Sequence, residues 1–501
     1  MQASILKRDI MQRKIIYDGE SEASVVSDIV LPESLGDIER ILKCTFTPRL
    51  LSKTVEGSRL SLQGSGTLRM VYKTANGNLE SFETQSPFSK NIDISGNAEN
   101  MSINADVSCG FCSCRAVSER RFEMNAGVSI KAKVCAIKKE TMPIGAENEN
   151  VECKQKQVEA IMPVCFASEC FTVMEEYELS GRALKTVVKT SAAPSVSEYK
   201  IISGKIILKG NVDFSVTYIA EDSDEPARVN YSIPVSHVLS CAGADEGDNV
   251  DVSLSICRVS AESSERGDRG ELSVEILLRA EAEVSRKETL TPIIDAYCVG
   301  FESRCEHENI ALTTLEKRLE KNYSTSIPID TDGGEMLDAF VDIKNVSSRV
   351  NEQGEIMMSA SALVTALCKN EEGDFFLNEK TAPIEFSLAA SPELSFSELD
   401  YNLSVTSVTP NRNGVGLNLS AKCTATKKQS IPMVTEVEIM ADALNRVNPK
   451  TALTIYFASK GEDTFDIAKR YNTSNREIML QNSLSDTLIP DDMTILIPMK
   501  R

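Results

Sequence analysis

Tryptophan is absent from this 501-residue chain, and histidine nearly so, with His237 and His307 the two instances. Without tryptophan, a stacking platform for a sugar ring has to come from Phe or Tyr. Two histidines in separate stretches leave little from which to build a Ser/His/Asp triad, and no Gly-x-Ser-x-Gly elbow is present. A basic excess is missing too. The 54 Lys and Arg stand against 74 Asp and Glu, a net charge of −20, which argues against a nucleic-acid footprint and for a neutral or basic partner. No apolar run approaches the roughly 20 residues that a membrane-spanning helix needs. Charges at Lys7, Arg8 and Asp9 interrupt the start where a secretory signal would be apolar, so export by that route is not expected. Gly333-Gly334 and Gly64-x-Gly66 lack the following Lys and helix start of a phosphate cradle. No catalytic residue, cofactor or metal is expected.

What the chain does have is 14 cysteines, many inside alternating apolar runs, as Cys135 in Val134-Cys135-Ala136 and Cys368 in Leu367-Cys368. There they behave as small buried hydrophobes in a reducing compartment. Cys109-Gly110-Phe111-Cys112-Ser113-Cys114 has the spacing of a thiol pair or half a zinc site. Further ligands at matched spacing are missing, so a strand with spare thiols is the expectation.

A length prior of about 150 residues per domain suggests three or four domains, and self-comparison finds three copies. Leu60 to Tyr72 matches Ile206 to Tyr218 and Ile356 to Cys368, with 146 and 150 positions between the closing residues. A proline step follows each, in Ser86-Pro87-Phe88, Ile233-Pro234-Val235 and Ala382-Pro383-Ile384. A third anchor closes each copy: Lys138 to Ile144, Arg286 to Ile293 and Lys427 to Met433. Apolar residues recur with period two between Gly and Asn/Asp turns, which predicts antiparallel β. Residues 35–42 and 314–322 are read as short helices. The fold class is mainly β, with units at 1–150, 151–300 and 301–445 and a small βααβ domain at 450–501. Each unit is expected to bury its own core as a bead on a string, with polar linkers at 147–157 and 302–308.

The last stretch reads strand, helix, helix, strand. Ile455 and Phe457 alternate with polar residues as in a half-buried strand. Phe465, Ile467, Ala468 and Tyr471 have helical spacing, Ser474 can cap a helix holding Ile478 and Met479, and Thr494 to Ile497 closes the module. Tyr456, Gly461 to Thr464, Ile467 to Tyr471, Asn482 and Ile497-Pro498 resemble the conserved pattern of a LysM domain, which implies binding to N-acetylglucosamine glycans such as peptidoglycan. In the loop that lines the family's sugar groove, Asp463-Thr464 stands where Thr-Leu is usual. The candidate binding surface is the loop Lys460, Gly461, Glu462, Asp463 and Thr464 with the facing loop Leu488, Ile489, Pro490, Asp491 and Asp492, and Asn482 nearby. Its acidic content suits a basic or hydrogen-bond-donating protein as well as a sugar.

The three repeats are similar to the SPOCS domain of endospore formers. The resemblance rests on the Gly-x-hydrophobic strand ending in Tyr, the Pro-hydrophobic step and Asp37-Ile38-Glu39-Arg40-Ile41-Leu42. Three such repeats before one LysM resemble the SipL family of Clostridia. That resemblance implies a non-enzymatic scaffold of spore coat assembly in the mother-cell cytoplasm, whose LysM docks on a coat-morphogenetic ATPase at the forespore surface. The alternative is a peptidoglycan-binding protein of the spore cortex or wall.

Overall fold

The computed structural model describes residues 2–96, 100–148, 150–178, 184–220, 226–264, 271–411, 414–443 and 453–498. It is mainly β, with two short helices near the C-terminus. Strands β1 (Ile5–Val30), β2 (Ile38–Glu56), β3 (Arg59–Thr74), β4 (Leu79–Asp93), β5 (Met101–Ser118) and β6 (Arg121–Ala146) build unit 1. After the short β7 (Val151–Gln155), unit 2 follows in the same order as β8 (Val158–Glu178), β9 (Leu184–Ile202), β10 (Lys205–Ala220), β11 (Pro226–Ser240), β12 (Asn249–Ser264) and β13 (Glu271–Leu290). Then β14 (Ile293–Cys298) leads to unit 3: β15 (Phe301–Ile327), β16 (Glu335–Val350), β17 (Glu355–Lys369), β18 (Phe375–Ala390), β19 (Glu398–Asn411) and β20 (Gly414–Ala443).

Each unit is a sandwich of two antiparallel three-stranded sheets. In unit 1 these are β2-β3-β4 and β1-β6-β5, and units 2 and 3 repeat the pattern strand for strand. The period-two residues of the first anchor face inward from the central strand; Ile206, Leu208, Val212, Phe214 and Val216 are all buried. The two sheets of each unit close on one apolar core. The proline step falls at one register in all three units, Pro87 opposite Ser65, Pro234 opposite Asn211 and Pro383 opposite Ser361. It lies on the outer strand of its sheet, where the missing N–H breaks no ladder.

Glycine in that anchor has a steric cause. The strand before it bulges in every unit, at Leu50/Ser52, at Ser197 and between Lys344 and Ser347. In units 1 and 2 the bulge brings a carbonyl close: a Cβ on Gly64 would stand 2.5 Å from Arg49 O, and one on Gly210 2.1 Å from Ser195 O. In unit 3 the bulge carries Asn345 at φ 52°, and Ala360 fits opposite it. Gly210→Ala is therefore expected to cost about 1–3 kcal/mol, since backbone cannot give way as a side chain can. Urea unfolding of the variant measures it, and an unchanged midpoint would refute the clash.

Several expectations are corrected. Residues 38–42 and 314–322 are strand, within β2 and β15, because pairing with β3 and β20 overrides local helical spacing. Residues 302–308 are likewise paired in β15 rather than a linker, and 151–155 form β7. The junction expected at 445–450 lies outside the described residues. Two cysteines are not free thiols: Cys165 and Cys241 form a disulfide.

The units are not separate beads. Their first and last strands run on past the sandwiches and converge, so that Ile10 and Met142 of unit 1, Ala160 and Leu290 of unit 2, and Leu312 and Ile431 of unit 3 share one core. The third sequence anchor is this meeting point, since Met142, Leu290 and Ile431 occupy the same place in its three copies and are fully buried. A second layer forms beyond it. There β7 pairs with β14, Ala3 N donates to Val437 O at 2.9 Å, and Val151, Ile293, Ala296 and Val437 pack together.

Charges also bind the units. Arg13 of unit 1 pairs with Glu283 of unit 2 at 2.7 Å and Glu316 of unit 3 at 3.3 Å. Arg318 of unit 3 pairs with Glu283 and Asp251 of unit 2. Lys53 of unit 1, 7% exposed, meets Glu281 at 2.7 Å, and Lys133 meets Asp400 of unit 3 at 2.8 Å.

Candidate functional site

The C-terminal module consists of β21 (Leu453–Ala458), α1 (Thr464–Tyr471), α2 (Asn475–Gln481) and β22 (Met493–Pro498), with β21 and β22 antiparallel. Local chemistry sets each boundary. The Asp463 carboxylate caps α1 by accepting from Phe465 N at 2.9 Å, and Asn472 ends it in the left-handed region. Ser474 caps α2. Phe465, Ile467, Ala468, Ile478, Ile495 and Ile497 form the core, with Tyr471 partly buried.

The strand β21 faces the other way from its expected half-burial. Tyr456 and Ala458 point inward, while Ile455 and Phe457 are 63% and 79% exposed. Leu453 lies on the same outer face, and Leu496 of β22 stands opposite Ile455. Helices cover one side of this two-stranded sheet, so the odd-numbered residues of β21 are left to solvent.

The two candidate loops are zipped together by backbone. Gly461 N donates to Ile489 O at 2.9 Å, Ile489 N to Glu462 O at 2.9 Å and Thr464 N to Thr487 O at 2.8 Å. Lys460 reaches Asp492 through its N–H at 2.8 Å and Asp491 through its ammonium at 3.0 Å. Glu462 accepts from Ser459 N and the Tyr456 hydroxyl, which together hold its carboxyl below the usual range. Thr464 and Ile489 are buried, whereas Leu488, Pro490, Asp491 and Asp492 are exposed. Asn482 does not face the loops' open side. Its amide donates to Ile478 O and Leu496 O and accepts from Leu496 N, tying α2 to β22.

Beside these loops lies a cleft of about 400 Å³ lined by Gly461, Glu462, Asp463, Asp466, Ile467, Arg470, Leu488 and, from β7, Lys154. Lys154 pairs with Asp463 at 2.8 Å and Asp466 at 3.0 Å. Burial works against its ammonium, but the two carboxylates outweigh that and raise its pKa. The cleft therefore presents carboxylates and two cations beside a Leu and an Ile, and one wall belongs to the repeat body.

That wall is part of a larger contact absent from the sequence reading. The Tyr297 hydroxyl of β14 donates to Thr473 O at 2.7 Å, and its ring meets Phe465 edge-on at 5.2 Å. Lys469 pairs with Asp295 at 2.6 Å, and Ser474 donates to Glu152 of β7 at 2.6 Å. A signal existed: the run Ile293-Ile294-Asp295-Ala296-Tyr297-Cys298-Val299 follows the second copy's closing anchor and has no counterpart after the first. Among the described residues, no group of three or more His, Cys, Asp or Glu side chains is arranged to hold a metal ion.

The family model for the SipL, SPOCS domain matches residues 37–117 and 184–263. These are the second to fifth strands of unit 1 and of unit 2, the same segment in each. No curated protein and no solved structure matches the chain.

Proposed function

From two SPOCS-domain regions in one chain, we propose a non-enzymatic scaffold of spore coat assembly that works at the forespore surface in the mother-cell cytoplasm. The repeat body is its rigid frame and the C-terminal module, a LysM domain, is its docking end. The observation that carries this reading is the outer face of β21, where Ile455 and Phe457 project into solvent beside exposed Leu453. An apolar stripe of this kind fits a protein surface. The cleft beside the loops is rich in carboxylate and bounded by Lys154, which suits a neutral glycan less well. The partner in this reading is a coat-morphogenetic ATPase.

The test is binding of the full chain and of Ile455→Asp with Phe457→Asp to the immobilised ATPase and, in parallel, to purified peptidoglycan. A loss of about tenfold or more in protein binding is expected, equivalent to about 1.4 kcal/mol. Melting should barely move, because both side chains lie outside the core. Binding to peptidoglycan alone, unaffected by the substitutions, would move the protein to the wall-binding class.

A further inference from the structure

Four unbonded cysteines gather at one edge of unit 1. Cys44 of β2 and Cys109, Cys112 and Cys114 of β5 pack against the same core, where β2 of one sheet runs beside β5 of the other. On a regular strand, residues three apart such as Cys109 and Cys112 point to opposite faces. The bulge between Cys109 and Phe111 adds Gly110 and returns Cys112 and Cys114 to the inward side. Cys114 interacts with Cys112 on its own strand and with Cys44 on the facing sheet. All four are half-buried, within reach of a small oxidant. In unit 2 the two sheets are already joined covalently, from Cys165 on β8 to Cys241 just after β11, with Cα atoms 6.0 Å apart.

We propose that Cys44 and Cys114 are a modification site for hydrogen peroxide, oxidised to a disulfide that staples the two sheets of unit 1. The Cys114 sulfur attacks one peroxide oxygen; the O–O bond breaks, one water leaves and a sulfenic acid forms. The Cys44 sulfur then attacks that sulfur, the S–S bond forms, the S–O bond breaks and a second water leaves. Two electrons pass from the sulfurs to the peroxide, and both thiol protons end in water. Cys112 is the poorer partner for Cys114. Two residues apart on a strand, their Cβ atoms stand roughly 6.6 Å from each other, whereas a disulfide needs about 3.5–4.5 Å.

The reaction is slow at neutral pH. Burial pushes the Cys109 thiol up to about 11. Interaction with Cys112 lowers the Cys114 thiol, but interaction with Cys44 and burial carry it up to about 12. The attacking thiolate is therefore scarce, which separates this site from a redox enzyme and predicts faster oxidation as pH rises.

To test it, the full chain is treated with millimolar hydrogen peroxide, alkylated, digested without reductant and mapped by mass spectrometry. A Cys44–Cys114 peptide is expected, with a rise of about 5 °C in the melting of the repeat body. Cys44→Ser and Cys114→Ser should abolish both changes, and Cys112→Ser should keep both. A Cys112–Cys114 link, a link between chains, or full alkylation of Cys44 and Cys114 after peroxide would overturn the proposal.

Discussion

Arg318→Ala is expected to destabilise the repeat body by about 3–5 kcal/mol and to split its melting into separate transitions for the units. Asp251 and Glu283 sit directly opposite each other on β12 and β13, a like-charge pairing that is unfavourable unless a cation bridges it. Arg318, from unit 3, is that cation, with Glu316 at 3.4 Å as a further partner. Truncation takes from Asp251 its Arg318 partner and leaves Glu283 and Glu316 to Arg13, at a surface where those two are largely buried. Adding Glu283→Gln should restore part of the loss by removing one of the stranded charges. Circular dichroism melts of the single and double variants measure this, and Glu320→Ala at the exposed pair with Lys422 is the control expected to change little. Equal melts for Arg318→Ala and wild type would mean that the shared apolar core alone holds the units.

The same cluster predicts a pH effect of opposite sign. Burial, partly opposed by Arg13, raises the Glu316 carboxyl above its ordinary range. A carboxyl raised in the folded state holds its proton more tightly there than in the unfolded chain. Its ionised form thus costs stability at neutral pH, and this cost fades as pH falls through the carboxylate range. Glu316→Gln should accordingly cost much less than Arg318→Ala.

Tyr297→Ala is the second large effect. The side chain is 4% exposed, and its removal empties the centre of the contact between β14 and the C-terminal module while leaving the Thr473 carbonyl without its donor. Loss of a buried aromatic costs about 3–5 kcal/mol. A small domain tied otherwise by ion pairs at Lys154 and Lys469 and by polar contacts such as Ser474 to Glu152 should then detach. X-ray scattering should report a larger radius of gyration for the variant. Tyr297→Phe keeps the ring against Phe465 and should cost only about 1 kcal/mol for the hydrogen bond. A compact Tyr297→Ala chain would show that the module is held by its other contacts.

The strands of the repeats were legible because each sandwich buries one face of each strand, so period two survives in the sequence at Leu60, Leu62 and again at Ile206, Leu208. The helical core of the C-terminal module was legible for the same reason at period 3.6. What escaped was everything set by contacts between units. The third anchor was visible as a repeat, but nothing in it says that Met142, Leu290 and Ile431 meet one another. The segment 314–322 reads as helix until β20 is placed beside it. In the candidate site, Gly461 and Asp463 were identified by pattern, yet the pattern could not supply Lys154 from some 300 residues away. The direction of β21 also escaped, since alternation says that two faces differ and not which one is covered.

The pairing of Gln2 and Ala3 with β20 has a consequence in time. The Gln2 side chain bonds that of Glu436, 434 positions on. At a synthesis rate of about 5–20 residues per second, the beginning of the chain waits roughly 20–90 s for this partner to be made. Each sandwich can close as its sixth strand emerges, but the meeting of the three cannot finish on a partly made chain. During that interval Ile10, Met142 and Ala160 lack their partners from the third unit. The nascent protein is thus exposed to wrong association from the closing of its first sandwich until β20 is made.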